Sequence, residues 1–351
     1  MMSDIFFERR PEDIGEKFHR SLTLVWWIFL FVGSMYLMLV TAERKTIVIA
    51  GGSYEQGAVE ESSGSEWEHR LELESTLQGT GVFVIPLDKN TKAEDVVVEN
   101  CYMDRSLHIL LKSAKAGFYE EHAVQGDVAA IRSAGWDEQR RGVLLTFEMD
   151  GVYEYRTSMD QDMLRIEVCD PHALYRLLVV VDAMDASLAQ TQIIREVLQL
   201  LPAQLDHDNI RLYFIGTEDE EITAEERLAF VEEVNADLFL TVGVAEREDA
   251  GQYGICGWYN ESYFIPQFGN VEFADIVTRN VTIASGNRAI GLKSAEADSI
   301  LQDMRIPAAG VDLGNLNNDQ ERVLLVQESY REKLAQGIAE AIREVYTNYY
   351  E

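Results

Sequence analysis

The chain has 351 residues, 47% apolar and 26% charged, which suffices for two ordinary cores and excludes both a disulfide miniprotein and a disordered composition. Its 61 acidic residues against 30 Lys and Arg give a net charge of -31, and no segment gathers enough base to neutralise phosphates, which argues against nucleic-acid binding. The same field repels anionic headgroups, so membrane attachment must come from hydrophobic insertion.

Residues 1–21 read as a tail with Arg9, Arg10, Lys17 and Arg20. From Leu22 to Ala42 there is no charge, and at 1.5 Å per residue this run matches the roughly 30 Å hydrocarbon core, which predicts one transmembrane helix. Only Arg44 and Lys45 follow it closely, so the positive-inside bias expects a cytoplasmic N-terminus and extracytoplasmic domains in a single-pass cell-membrane protein. Val40-Thr41-Ala42 also resembles a signal-peptidase site, but the length of the apolar run favours a retained anchor. With five acids and four bases before Leu22, the exported part holds 56 acids and 26 bases, a net charge of -30.

Residues 43–78 contain a Gly-, Ser- and Glu-rich stretch that reads as a linker. Residues 79–170 carry short apolar or alternating runs at Val82–Leu87, Ser106–Lys112, Val143–Met149, Val152–Arg156 and Leu164–Val168, the pattern of a small β-sandwich. Asp150-Gly151 between two of these runs predicts a hairpin turn. Cys101, Cys169 and Cys256 lie far apart without a CxxC pair, so no structural zinc is read; three buried small hydrophobes are expected, with a Cys101–Cys169 disulfide conceivable.

Residues 171–351 change to strand–helix alternation. Leu177–Asp182 is a continuous apolar run suited to a parallel strand buried on both faces, and Ile193–Leu201 has helical spacing. Ile210–Gly216 and Leu238–Gly243 are further strands, with a capping box at Thr223 to Glu226 opening the helix between them. A last helix is expected from about Gln320 to Tyr346, presenting Leu324, Leu325, Tyr330, Leu334, Ile338, Ala341, Ile342 and Val345 on one face. The fold class is α/β, an open, mainly parallel sheet flanked by helices and preceded by the β-sandwich and the membrane helix.

In order, the second domain resembles the zinc-dependent N-acetylmuramoyl-L-alanine amidases. Val181-Asp182-Ala183-Met184-Asp185-Ala186-Ser187 stands where that family has V-I-D-P-G-H-G-G, and Leu212-Tyr213-Phe214-Ile215-Gly216 looks like its L-T-R strand. Glu226-Arg227 falls at its ER pair, Ala236 to Gly243 at A-D-x-F-x-S-I-H, and Pro307 to Asn318 at P-A-x-L-V-E-x-G-F-L-S-N. The β domain resembles the AMIN-type module that precedes such amidases. The resemblance implies a peptidoglycan hydrolase with a His, Glu, His zinc site and a second Glu as base.

Carried over residue by residue, the first His falls on Asp185, the second on Gly243, the ligand Glu in the acid-free stretch 188–192, and the base on Asp312. Glycine cannot ligate through a side chain, so the metal expectation is none, with zinc expected only of the family. Asp182, Asp185, Gly243 and Asn315 are then candidates for binding in a vacated cleft, with Asp312 at the base position. Asp182, Asp185 and Asp312 could alternatively converge on a hard cation, or the first two could simply cap the next helix. His172 and His207 sit at no matching strand end and read as loop residues, and the aromatics between Gly251 and Phe268 read as core packing over a sugar or peptide groove. The expected role is an inactive, membrane-anchored envelope protein that binds peptidoglycan or a protein partner in wall remodelling, division or sporulation; an active N-acetylmuramoyl-L-alanine amidase with displaced ligands, or a subunit of an envelope assembly, are the rivals.

Overall fold

The computed structural model describes residue 67 and residues 69–351, apart from 77–78, 90, 113, 116, 161, 185–186, 206–208 and 218–221. The expected tail, membrane span and most of the linker therefore lie outside the described residues. Among the described residues no helix is long and apolar enough to cross a membrane.

The first domain contains β1 (His69–Arg70), β2 (Leu73–Ser75), β3 (Val82–Pro86), β4 (Val96–Cys101), β5 (Ser106–Leu111), a short helix α1 (Phe118–Glu121), β6 (Val124–Gly126), β7 (Ile131–Gln139), β8 (Gly142–Met149), β9 (Glu154–Asp160) and β10 (Met163–Cys169). They form two five-stranded sheets, β1-β7-β8-β5-β4 and β2-β6-β3-β10-β9. Alternation decides what faces inward. Leu107, Ile109 and Leu111 of β5 and Val143, Leu145 and Phe147 of β8 meet Phe83, Ile85, Leu164 and Ile166 of the other sheet in one core. Phe83 and Phe147 touch across it with ring centroids 5.2 Å apart.

The hairpin expected at Asp150-Gly151 is not formed. Both edges of β8 are already paired, with β5 and with β7, so the chain must cross to the other sheet, where β9 pairs with β10. Asp150 is used in that crossing: its N–H donates to the Ala130 carbonyl at 2.9 Å and its Oδ1 accepts from the Tyr153 hydroxyl at 2.7 Å.

The second domain begins with helix α2 (Pro171–Leu174) and β11 (Leu177–Ala183), then α3 (Leu188–Gln199), α4 (Leu201–Leu205), β12 (Ile210–Ile215), α5 (Ala224–Glu233) and β13 (Leu238–Ala245). It continues with β14 (Ile255–Tyr259), α6 (Asn270–Ser285), β15 (Ala289–Ser294), β16 (Ala308–Asn315), α7 (Asp319–Leu325) and α8 (Glu328–Val345). The sheet order is β12-β11-β13-β16-β14-β15; four pairings are parallel and only β14–β16 is antiparallel. One face, with Val179, Val181, Leu240, Val242 and Val311, is covered by α3, α6 and α8. The opposite face, with Leu178, Val180, Phe239 and Ala308, packs on Phe230, Leu301 and Met304.

The β domain helps to cover that second face. Val152 joins its core, and the turn Tyr102–Asp104 between β4 and β5 lays Tyr102 against Tyr213 and Phe230. The Tyr102 hydroxyl donates to the Phe214 carbonyl and accepts from the Phe214 N–H, both at 2.9 Å. Arg105 grips Glu233 with two hydrogen bonds of 2.7 and 2.5 Å. Buried Glu154 accepts from Arg211 Nε at 2.6 Å and from the Tyr213 hydroxyl at 2.9 Å, and the carboxylate raises the Arg211 pKa against the opposing cost of burial.

The last helix is broken in two. Asn318 Oδ1 accepts from the N–H groups of Gln320 and Glu321, starting α7, and Gln327 is extended, restarting the chain as α8. The break lets Glu321 and Leu325 point inward while Leu324, expected on the buried face, is exposed.

Candidate functional site

Parallel strands leave their carboxyl ends on one edge of the sheet, where open α/β folds carry their ligands. Two rows of residues cross that end on the face opposite α3, α6 and α8. In register, Asp182 lies beside Thr241, Thr241 beside Gly310 and Gly310 beside Trp258; two residues further along β13, Gly243 lies beside Asp312 and Asp312 beside Cys256. The period of two puts all of these on one face.

The sheet thus brings Asp182, Gly243 and Asp312 together, but each is already engaged. Asp182 Oδ1 accepts from Arg227 Nε at 3.0 Å, with the two side chains only 5% and 7% exposed. The helix after it, α3, takes Ser187 as its cap, with the Ser187 N–H donating to Gln190 Oε1 at 2.7 Å, in place of the Asp182 cap the sequence suggests. Gly216, at φ +67°, passes with its Cβ position 2.7 Å from the Ala183 carbonyl and 3.1 Å from Asp182 Oδ1, so only glycine fits this turn. Asp185 lies outside the described residues, as does His207.

Asp312 is 5% exposed. Its Oδ2 accepts from Arg247 Nη2 at 2.7 Å and the Trp258 indole donates to it as well. Burial pushes the Asp312 carboxyl above the usual carboxylate range, while Arg247 and Trp258 pull it down. Beside it, burial and the Asp312 charge raise the Cys256 thiol. Gly243 is covered: a Cβ there would come 2.9 Å from the Met184 sulfur and 3.4 Å from Asp312 Oδ1. Asn315 is fully buried and serves a loop. Its Oδ1 accepts from the Arg247 N–H at 3.0 Å and its Nδ2 donates to the Gln252 carbonyl at 3.1 Å, which sets the segment that carries Arg247 over Asp312. The expected vacated cleft is therefore filled at these residues, by a thioether and a guanidinium.

A hydrolytic zinc needs about three N or O donors at roughly 2.0–2.2 Å plus one open position. Here Gly243 offers none, Met184 offers a neutral thioether, and a second cation, Arg247, holds the Asp312 carboxylate. Thr241 Oγ1 is buried without a hydrogen-bond partner among the described residues, but one hydroxyl does not make a donor set. Among the described residues, those at this strand end do not fit zinc, and Asp182 and Asp312 are each held by an arginine instead of converging on a hard cation.

Three contributors escape a reading of the sequence. Arg247 lies in a charged run, Glu246 to Asp249, that looks like solvated loop. Met184 follows a strand and stays 37% exposed, with its sulfur end over Gly243. Glu321 is a buried carboxylate that accepts from the N–H groups of Asn315 (2.7 Å) and Gly254 (3.1 Å) and from Asn287 Nδ2 (2.6 Å), tying the ends of β16, β14 and α6 together. His172, expected in a loop, lies instead in the short helix α2, where the Asp170 side chain caps it, and its Nε2 is 2.9 Å from the Asn235 carbonyl. The aromatic segment is mixed: Phe268 is buried, Tyr253 lies 3.7 Å beneath the Arg288 guanidinium, and Phe264 is 82% exposed instead of packed. On the β domain a shallow cavity of about 250 Å³ is lined by Glu72, Glu74, Glu121, His122, Gln125 and Met163.

The fold and this strand-end row define an open, mainly parallel α/β domain. Residues 183–344 match the sequence model of the N-acetylmuramoyl-L-alanine amidase family. It is 27% identical over 123 residues, 34% of this chain, to N-acetylmuramoyl-L-alanine amidase CwlM of Mycobacterium tuberculosis; the match spans 30% of that relative's length. Similar solved structures include the catalytic domain of CwlV, an N-acetylmuramoyl-L-alanine amidase from Bacillus (Paenibacillus) polymyxa var. colistinus, at 18% identity and TM-score 0.44, covering 49% of this chain and 98% of that one. The CwlD amidase from Clostridioides difficile, solved in complex with the GerS lipoprotein, is similar at 17% identity and TM-score 0.41, with 49% and 98% covered.

Proposed function

We propose that the chain is a membrane-anchored, catalytically inactive amidase-like protein of the cell envelope that binds peptidoglycan or an envelope protein in wall remodelling, division or sporulation. The observation that carries the reading is the strand end itself: a methionine sulfur fills the space above Gly243, and Arg247 stands at 2.7 Å from the carboxylate at the family's base position. A divalent cation placed there would face a guanidinium and lack imidazole donors, and without a polarising ion the amide carbonyl has no Lewis acid. The family match supports a wall-related role. The apolar run 22–42 supports an anchor, with the tail in the cytoplasm and the domains outside.

The test uses the full-length chain in detergent, supplied with zinc and purified muropeptides. No release of stem peptide is expected, together with retention of the protein by sedimented wall sacculi or by a membrane complex. Zinc-dependent release of peptide from N-acetylmuramic acid would instead make the chain an active N-acetylmuramoyl-L-alanine amidase.

A further inference from the structure

A second group of metal-competent side chains lies on the β domain. β4 and β5 pair antiparallel with Glu99 opposite His108 and Cys101 opposite Ser106, so all four side chains share one face of the hairpin. The thiol, the imidazole and the carboxylate each bring one donor atom to within 4.8 Å of the others.

The spacing between sulfur and nitrogen is informative. Around a tetrahedral zinc with bonds of about 2.3 Å to sulfur and 2.0–2.1 Å to nitrogen, the two donor atoms sit about 3.6 Å apart. Cys101 Sγ and His108 Nδ1 are 3.5 Å apart. The other ring nitrogen, Nε2, lies 3.2 Å from the hydroxyl of buried Ser106. With the proton on Nε2 donated to Ser106 Oγ, Nδ1 presents its lone pair on the side of the sulfur. This is the arrangement in which an outer hydrogen bond fixes the tautomer and ring direction of a metal-ligating histidine. Glu99 is exposed and needs only a rotamer change to close the remaining distance, and β4 is the outermost strand of its sheet, which leaves a fourth position for water.

We infer that Glu99, Cys101 and His108 form a binding site for one borderline or soft divalent transition-metal ion, of which Zn²⁺ is the representative, with Ser106 as the positioning residue behind His108. On binding, the Cys101 thiol releases its proton to solvent and sulfur takes the vacant coordination position; no redox step is involved. The hairpin turn between the ligands, Tyr102–Asp104, is the one that seats Tyr102 against the α/β domain, so the ion would stiffen that seat.

The full-length chain is titrated with Zn²⁺ against a chromophoric chelator, and in parallel with Co²⁺. One equivalent bound, with a thiolate-to-cobalt charge-transfer band in the near ultraviolet, is expected. Cys101→Ser and His108→Ala should each abolish the band, Ser106→Ala should weaken binding roughly 10–100-fold, and Cys256→Ser and Asp312→Asn should leave both readouts unchanged. Absence of stoichiometric binding, a cobalt complex without the thiolate band, or binding that survives Cys101→Ser and is lost with Asp312→Asn would overturn the inference. The cobalt spectrum of the unsubstituted chain decides the matter even if a variant fails to fold.

Discussion

Among the described residues, two places hold side chains of the kinds that bind metals, and they are built in opposite ways. At the carboxyl ends of β11, β13 and β16 the carboxylates are buried, so the cost of desolvation forces each to take a cation from its own chain, Arg227 for Asp182 and Arg247 for Asp312. On the β4–β5 hairpin the donors sit at a solvent-facing edge and are a thiol, an imidazole and an exposed carboxylate. Burial turns ligand-type residues into structural ion pairs; partial exposure leaves them able to exchange water for an ion.

If that contrast holds, substitutions at the first place should cost stability and those at the second should not. The largest effect is expected for Arg227→Ala, which leaves Asp182 buried without its guanidinium: about 3–5 kcal/mol in urea unfolding. A loss below about 1 kcal/mol would mean that the pair is not structurally important. Arg247→Ala should cost less, about 1–3 kcal/mol, because Trp258 continues to donate to Asp312.

The same carboxylate gives a pH signature. Asp312 holds its proton above the reference value of 3.8, so in the window from 3.8 up to its folded value the native state binds a proton that the unfolded chain has released. Stability of the unsubstituted chain relative to Asp312→Asn should therefore fall as pH rises through that window and level off above it. Urea midpoints that run parallel for the two proteins across the window would sink this assignment.

Gly243→His tests the filling of the strand end. The imidazole must displace the Met184 sulfur, an overpacking that should cost about 1–3 kcal/mol and be relieved in the Gly243→His, Met184→Ala double variant. Neither variant should hydrolyse muropeptides. The smallest effect is expected at the hairpin, where His108→Ala without added metal should shift the unfolding free energy by about 1 kcal/mol or less. A larger loss there would recast His108 as a structural residue.

What the sequence discloses follows the range of the interactions. Leu177–Ala183 is apolar at every position because both faces are covered, and the Thr223 to Glu226 box is closed by bonds three residues apart, so both are legible locally. The Gly243 and Asp312 positions also stand out in the primary structure. What fills the space between them does not, since Arg247 reaches Asp312 across 65 residues and Met184 reaches Gly243 across neighbouring strands. Asp150-Gly151 misleads because turn chemistry cannot report that β8 has both edges occupied. The hairpin cluster was within reach: had Val96–Cys101 been paired with Ser106–Leu111, the register alone would have set Glu99 against His108.

The Tyr102 hydroxyl has one more effect. β12 is the last strand on its side of the six-stranded sheet, and a bare strand edge is a template on which another polypeptide can polymerise. By satisfying both the N–H and the carbonyl of Phe214 with a single phenol, the β domain plugs the middle of that rim. An α/β domain excised without its amino-terminal neighbour would therefore bare this edge and is expected to clump.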